Sequence, residues 1–191
     1  MKVQETTIKG CCIIEPQVFE DERGYFLESF NSKKFFAQTG LDVCFVQDNE
    51  SMSNHGVIRG LHAQQGASAQ AKLIRVICGS VLDVVVDARI DSATFGEIFT
   101  TEISSRNKHQ LFVPKGCLHG FSVLEDHTIF SYKCDAYYNP KKELGVNPLD
   151  PELAIDWQID QSKVKTSVKD QNAQSWEAFT SSLSTKKLQI S

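Results

Sequence analysis

The sequence predicts an all-β fold, either a β-sandwich or a double-sheet jelly roll, with a few short peripheral helices. Eight short runs rich in β-branched and aromatic residues recur along the chain, and turn-forming residues separate them. Strands at this spacing favour an antiparallel architecture, which needs no crossover helices. The chain has 191 residues, of which 41% are hydrophobic, so it is long enough for one substantial core. We therefore expect a single domain over residues 1–191.

The strands are expected in the following order. A short apolar run covers residues 11–14, and an alternating segment covers 25–30 after a turn at 21–24. Gly79 and Ser80 form a two-residue hairpin signal between two of the later strands. The eight runs rich in β-branched and aromatic residues are predicted to form strands at residues 43–47, 57–62, 72–78, 81–87, 98–103, 110–113, 119–124 and 128–134.

Two helices are expected outside the sheets. The first covers 31–38, where Asn31 or the residue after it can cap the start, Phe35 and Phe36 form an apolar stripe, and Gly40 follows the end. The second covers 172–179, which has aromatic residues at helical spacing. Residues from about 180 to 191 are interpreted as a tail that becomes ordered only against a partner.

Composition and charge exclude several classes of function. A net charge of -4 and a pI near 5.7 leave no overall positive field to hold nucleic acid or an anionic membrane. No apolar stretch has the length of a signal peptide or a membrane span, so we expect a cytoplasmic protein. Its six cysteines lack the paired spacing of zinc sites and are interpreted as small buried hydrophobic residues.

Residues 56–72 place three basic side chains, Arg59, His62 and Lys72, among apolar residues typical of strands. Long cations are seldom buried without a partner or a function, so we expect this stretch to line a pocket. Taken alone, Lys72 could instead be an edge lysine that reaches water, and His62 a hydrogen-bonded core histidine. Tyr132 shares a strand face with Phe130 and would point inward with it.

A second segment strengthens the pocket interpretation. His119 lies three residues after Gly116 in a Pro-x-Gly turn, which is the second sequence signature of the cupin jelly roll. The corresponding first signature offers only His62 as a histidine, with Lys72 after it. Two histidines beside a lysine make a poor transition-metal site, because the cation repels the metal and too few ligands are present. We therefore expect a cupin-like double-stranded β-helix that works without a metal or another cofactor.

The chain resembles the dTDP-4-dehydrorhamnose 3,5-epimerases and related sugar-nucleotide epimerases from about residue 14 to residue 170. The order and spacing of many short motifs carry the resemblance. They are Phe19-x-Asp21-x-Arg23-Gly24-x-Phe26-x-Glu28, Val46-Gln47-Asp48-Asn49-x-Ser51, Gly56-Val57-Ile58-Arg59-Gly60-Leu61-His62, Gln70-Ala71-Lys72-Leu73, Asp87-x-Arg89, Thr94-Phe95-Gly96, Val113-Pro114-x-Gly116-x-x-His119-Gly120-Phe121, Tyr132-Lys133, Tyr137-Tyr138, Asp150-Pro151-x-Leu153-x-Ile155-x-Trp157 and Ser167-x-Lys169-Asp170.

The resemblance implies an isomerase that moves protons next to a ketone. By its matching position His62 would be the base, paired with the carboxylate of Asp170, and Tyr132 would be the acid on the opposite face of the sugar. A solvated acid at a helix start is the other interpretation of Asp170. Lys72 and Arg59 would suit the developing oxyanion and the diphosphate, because both are cations facing an anionic ligand. His119 would assist at the sugar or the phosphate.

The resemblance also implies how a nucleotide is held. Phe19 and Tyr138 would sandwich the base, and Gln47 and Asn49 would form hydrogen bonds with it. Another segment would contribute to the site of the partner subunit, so the resemblance implies a homodimer with strand exchange. The residues in that segment are Arg23, Phe26 and Glu28.

Several positions depart from the family pattern, and alternatives therefore remain open. Ala63 replaces a residue that is usually larger and often aromatic, Cys117 and Leu118 replace the common Phe-Ala, and the segment 147–149 lacks the usual tryptophan. These changes leave the exact substrate undecided, as does the loop at 66–68. The main prediction is epimerisation of a nucleotide-linked 4-keto-6-deoxyhexose at C3 and C5. Alternatives are an epimerase acting at a single carbon, a metal-dependent cupin oxygenase and a non-catalytic sugar-binding jelly roll.

Overall fold

The computed structural model describes residues 1–188, and most of the regular structure in this range is β. It contains three α-helices: α1 (Ser32–Thr39), α2 (Val168–Gln171) and α3 (Trp176–Leu188). Thirteen strands lie in the same range: β1 (Lys2–Glu5), β2 (Cys12–Glu15), β3 (Val18–Asp21), β4 (Gly24–Leu27), β5 (Gln47–Ser53), β6 (Ile58–Gln64), β7 (Lys72–Cys78), β8 (Ser80–Asp87), β9 (Ile98–Ser104), β10 (Gln110–Val113), β11 (Cys117–Val123), β12 (Thr128–Cys134) and β13 (Glu143–Gly145).

Two antiparallel sheets form the body of the molecule, and they confirm the predicted jelly roll. The six-stranded sheet has the order β1-β2-β10-β7-β12-β5, and the five-stranded sheet has the order β13-β6-β11-β8-β9. Among the thirteen described strands, β3 and β4 pair with each other as a separate hairpin. The helices are few and short, as the sequence predicts.

The core has one layer between the sheets and a second layer outside the five-stranded sheet. Val85 on β8 packs inward with Phe130 on β12, whereas Val84 faces outward and packs with Trp157 and Phe179. Every residue of β8 is buried, because the C-terminal part of the chain covers the outer face of its sheet. That covering segment also brings α2 beside β6, where backbone hydrogen bonds join Lys165 to the start of the strand.

Three predicted strands, β7, β10 and β12, begin and end at the predicted residues. The strand predicted at 43–47 is wrong: residues 41–46 have no regular structure, and β5 follows them with the polar sequence QDNESMS. Its inward-facing side chains are polar because they face a cavity, so the sequence lacks the apolar signal of a buried strand.

The predicted hairpin at Gly79 and Ser80 is also wrong. Strands β7 and β8 flank this turn but belong to different sheets, so the chain crosses from one layer to the other. Gly79 has φ of 80°, and a Cβ there would lie 2.2 Å from Thr128 Oγ1. Only glycine fits, because the turn needs a left-handed backbone and a close approach to β12.

The first helix is confirmed with its predicted caps. The Asn31 side chain accepts a hydrogen bond from the Lys34 N–H, and Gly40 ends the helix with φ of 70°. Of its predicted apolar stripe, Phe35 is buried but Phe36 is 54% exposed. The tail prediction is wrong as far as Leu188, because α3 covers those residues; residues 189–191 lie outside the described range.

The cysteine prediction holds for four of the six side chains. Cys11, Cys12, Cys117 and Cys134 are buried, whereas Cys44 and Cys78 are exposed. All six are free thiols. Among the described helices, none has the length and apolar character needed to cross a membrane.

Candidate active site

A cavity of about 540 Å³ opens between the two sheets, and all four predicted catalytic side chains, His62, Lys72, Tyr132 and Asp170, line it. Both sheets and the segment before α2 contribute to its wall. The residues that line it are Asn49, Glu50, Ser51, Val57, Ile58, Arg59, His62, Lys72, His119, Gly120, Phe121, Phe130, Tyr132, Lys165, Thr166, Ser167, Lys169 and Asp170.

His62 and Asp170 form a hydrogen-bonded pair in this cavity. His62 projects from β6, and its Nε2 lies 2.6 Å from Oδ1 of Asp170 on α2. Ser167 caps α2 and accepts a hydrogen bond from the Asp170 N–H, which fixes the carboxylate over β6. Burial lowers the pKa of His62, and the negative charge of Asp170 opposes that shift. The imidazole is therefore neutral at neutral pH, and a carboxylate on Nε2–H leaves Nδ1 as the basic nitrogen.

Tyr132 and Lys72 face the same cavity from the opposite sheet. They lie on the neighbouring strands β12 and β7, and Lys72 Nζ is 5.9 Å from the centre of the Tyr132 ring. Burial raises the pKa of Tyr132 and lowers the pKa of Lys72. A partly buried phenol that stays protonated is a suitable proton donor, and a partly desolvated ammonium interacts strongly with a developing negative charge.

A second histidine–carboxylate pair lies next to the first. His119 on β11 is opposite His62 on β6 in the antiparallel register, and its Nε2 is 2.9 Å from Oδ1 of Asp83. Both of these side chains are buried, His119 at 6% exposure and Asp83 at 0%. Arg59 lines the cavity on the same sheet, and its Nε donates to Ser53 Oγ at 3.1 Å.

Of the predicted nucleotide-binding residues, only Asn49 lines the cavity in the single chain. Gln47 lies beside it on β5, and its Nε2 donates to Asn49 Oδ1 at 3.0 Å. The backbone N–H of Tyr138 donates to Gln47 Oε1 at 3.0 Å, so the tyrosine lies next to this end of β5. The Tyr138 side chain is 50% exposed.

The other four predicted binding residues, Phe19, Arg23, Phe26 and Glu28, do not line the cavity. The first three lie on the β3–β4 hairpin and border a separate open groove. Phe19 and Phe26 are directly opposite each other in the hairpin, and they are 55% and 68% exposed. Glu28 follows β4 and pairs with Lys34 at 2.9 Å. This chain by itself does not bring them to His62.

The positions that depart from the family pattern also lie outside the cavity wall. Ala63 faces away from it, because successive strand residues alternate and His62 faces in. Cys117 is buried in the layer between the sheets, Leu118 in the layer outside the five-stranded sheet, and Leu149 is 49% exposed. The loop at 66–68 is a short 3-10 turn that does not reach the cavity.

Sequence reasoning missed several residues at the site. Lys165 and Lys169 add positive charge to the cavity wall. Asp83 supports His119, and the available signal was a carboxylate in the middle of strand β8, with apolar residues on both sides of it. Glu143 bonds to Lys169 from β13, a strand that the sequence did not predict. Within residues 1–188, no three His, Cys, Asp or Glu side chains are grouped as metal ligands.

The fold and the cavity define a cupin-type enzyme that transfers protons. The jelly roll holds a histidine–carboxylate pair against one sheet and a tyrosine on the other, and one cation from each sheet, Arg59 and Lys72, lines the same cavity. The chain belongs to the dTDP-4-dehydrorhamnose 3,5-epimerase family, whose model matches residues 5–178.

Solved structures of family members are closely similar to this chain. The 3,5-epimerase from Elizabethkingia anophelis is 52% identical with a TM-score of 0.89, over 93% of this chain and 97% of that one. An enzyme from Legionella pneumophila, solved with dTDP-4-keto-L-rhamnose, is 45% identical with a TM-score of 0.87, over 91% of this chain and 92% of that one.

A 3'-monoepimerase from Streptomyces bikiniensis is also similar. Its complex with dTDP-quinovose is 33% identical with a TM-score of 0.86, over 94% of this chain and 89% of that one. The same enzyme has been solved with dTDP as a double mutant in which one histidine and one tyrosine are replaced. The fold of this chain is therefore shared by enzymes that differ in the number of carbons they invert.

Proposed function

We propose that this protein epimerises a dTDP-linked 4-keto-6-deoxyhexose at C3 and C5. The observation that carries the proposal is that His62 and Tyr132 line one cavity from opposite sheets. A sugar ring held between the sheets would present one face to a base and the other to an acid. Inversion of a carbon next to a ketone needs this arrangement.

The environments of His62 and Tyr132 define the two proton transfers. The lone pair of His62 Nδ1 takes the proton from C3 or C5, the C–H electrons form a carbon–carbon double bond, and the ketone oxygen becomes an enolate oxyanion. Asp170 stabilises the imidazolium that results, because its carboxylate bonds to Nε2–H at 2.6 Å. Tyr132 then gives its hydroxyl proton to the other face of the carbon and becomes a phenolate. Exchange with solvent protonates Tyr132 and deprotonates His62 for the next step.

The cations of the site suit the charges of this substrate. Lys72 is beside Tyr132 and can stabilise the enolate oxygen by a charge-assisted hydrogen bond. Arg59 and His119 would contact the diphosphate or the sugar, since both line the cavity on the five-stranded sheet. The histidine and tyrosine replaced in the monoepimerase double mutant are as far apart in sequence as His62 and Tyr132, which supports their assignment.

The nucleotide end of the site is proposed to need a second subunit. Gln47, Asn49 and Tyr138 lie together at one end of β5, where they can contact a base. Phe19 and Phe26 form an exposed aromatic pair that does not reach the cavity of its own chain. We therefore include a homodimer in the proposal, in which Phe19, Arg23, Phe26 and Glu28 complete the partner's site. Free thiols at all six cysteines fit a cytoplasmic protein.

A second candidate is inversion at one carbon only, which the similarity to a 3'-monoepimerase favours. Both candidates use the same base and acid, so their difference is the number of carbons that reach His62. The test is incubation with a dTDP-linked 4-keto-6-deoxyhexose in deuterated water, followed by NMR of the sugar protons. Exchange at C3 and C5 is expected. Exchange at one position would identify the single epimerase, and no exchange would contradict both.

The variant that tests the base is His62→Ala, which removes its imidazole. We expect exchange to fall by about 100-fold to 10,000-fold, the usual contribution of a positioned base. His109→Ala is the control, because that side chain does not line the cavity. Circular dichroism checks that both variants fold. Wild-type exchange in His62→Ala would overturn the assignment of the base.

A further inference from the structure

The carboxylate of Glu143 joins two parts of the site without lining the cavity. Glu143 lies on the edge strand β13, opposite Gln64 of β6, and its side chain is only 17% exposed. Its Oε2 accepts a hydrogen bond from Tyr138 Oη at 2.7 Å, and its Oε1 accepts one from Lys169 Nζ at 2.5 Å. One carboxylate therefore links a side chain at the end of β5 to one on α2.

The two partners of Glu143 connect to different groups of the site. Tyr138 is held to Gln47 through its backbone N–H, and Gln47 contacts Asn49 at the nucleotide end. Lys169 lines the cavity and directly precedes Asp170, the carboxylate that bonds to the base. A change at Glu143 would consequently release the side chains of both Tyr138 and Lys169.

We propose that Glu143 is a positioning residue that holds the Tyr138 ring in place for the nucleotide base. The inference rests on the proposed function, since it takes Tyr138 as a residue that contacts the base. Glu143 is the hydrogen-bond partner of the Tyr138 hydroxyl within the described residues, so without this carboxylate the exposed ring must be ordered by the ligand itself. Ordering a side chain on binding reduces affinity, so a pre-positioned ring binds more tightly.

A purely structural role for Glu143 predicts a different result. Tyr138 and the Lys169 side chain are 50% and 59% exposed, and ion pairs at such exposure contribute little to stability. Burial opposes ionisation of Glu143, but hydrogen bonds from Lys169 and Tyr138 hold its pKa below the ordinary value, so it is charged at neutral pH. A negative charge near the site repels a diphosphate. Charge alone therefore predicts tighter nucleotide binding once Glu143 is neutral, whereas positioning predicts weaker binding.

The test is the affinity for dTDP alone, measured by isothermal titration calorimetry on the wild-type protein and on Glu143→Met. Methionine keeps the length of the side chain and removes both hydrogen bonds. We expect the Kd for dTDP to rise about threefold to tenfold, which is the cost of ordering one side chain. Glu143→Gln should recover most of the affinity, because an amide can still bond to the Tyr138 hydroxyl.

A double-mutant cycle shows whether Glu143 acts through Tyr138. Tyr138→Phe removes only the hydroxyl, and we expect the combination with Glu143→Met to bind dTDP no more weakly than Glu143→Met alone. Glu125→Met is the matched control, because Glu125 also forms an ion pair, with Arg106 at 2.6 Å, and does not line the cavity. Its Kd should equal that of the wild type.

Unchanged or tighter binding by Glu143→Met would overturn the inference, as would additive effects in the cycle. Deuterium exchange by the wild-type protein is measured separately and tests the proposed epimerisation. If the wild-type protein exchanges deuterium but Glu143→Met binds dTDP with unchanged affinity, the proposed function stands and only the positioning role is contradicted. If Glu143→Met binds dTDP more weakly but the wild-type protein shows no exchange, the proposed epimerisation is contradicted.

Discussion

Replacing Asp170 by asparagine removes one negative charge from the site and leaves the side-chain volume almost unchanged. The Asp170 side chain is 5% exposed, and its Oδ1 lies 2.6 Å from His62 Nε2. A hydrogen bond to a charged group contributes about 1.5–3 kcal/mol. Since about 1.4 kcal/mol corresponds to a tenfold change in rate, we expect kcat of Asp170→Asn to fall roughly 10-fold to 150-fold.

The pH dependence of this variant has a definite sign. The base must be neutral, so kcat/KM falls as the pH drops through the pKa of His62 in the free enzyme. Burial lowers that pKa and Asp170 opposes the shift. Asparagine removes the opposing charge, so the pKa of His62 falls further. The acidic limb of the profile should move to lower pH while the plateau decreases.

The assay is the rate of deuterium exchange into the sugar, followed by NMR over a range of pH. Asp156→Asn is the control, because Asp156 is exposed, its side chain accepts a hydrogen bond from the Gln158 N–H, and it does not line the cavity. The control should keep the wild-type rate and profile. If Asp170→Asn kept the wild-type rate, or lost activity with no movement of the acidic limb, then Asp170 would not act through the basicity of His62.

Two further changes test other parts of the structure. Tyr132→Phe should reduce formation of the inverted sugar by about 100-fold or more. Deuterium should still enter the sugar with retained configuration, because His62 can return a solvent-exchanged deuteron to the face from which it took the proton. Inversion at the wild-type rate would exclude Tyr132 as the acid. Gly79→Ala should lower the free energy of unfolding in urea by more than about 1 kcal/mol, since φ is 80° and the new Cβ would lie 2.2 Å from Thr128 Oγ1. Gly66→Ala is the comparison, because Gly66 also has positive φ but none of the described residues has an atom within 4 Å of the new Cβ. An equal loss of stability in both variants would mean that the contact with Thr128 is unimportant.

Apolar periodicity predicted the buried strands well and the polar ones poorly. Strands β7, β10 and β12 are rich in β-branched and aromatic residues because both sheets bury their inner faces. Strand β5 was missed, since its inward positions face a cavity and are polar. Functional strands depart from the apolar pattern for this reason.

The sequence by itself determined the strand content, the first helix with its Asn31 and Gly40 caps, and the candidate chemistry of His62, Lys72 and Tyr132. These are local properties: residue type, spacing and strand parity carry them. The matching motifs also indicated the family and the pairing of His62 with Asp170.

The tertiary structure decided which of these groups meet. His62 and Asp170 are separated by 108 positions, and their contact depends on the C-terminal segment packing along β6. The chain crosses between the two sheets several times from β6 to β12, and this topology places His62 and Tyr132 on opposite walls of one cavity. The contact of Glu143 with Tyr138 and Lys169 arises only when β13 pairs with the edge of β6. Long-range contacts of this kind have no local signal, because they depend on how whole strands pack rather than on neighbours in the chain.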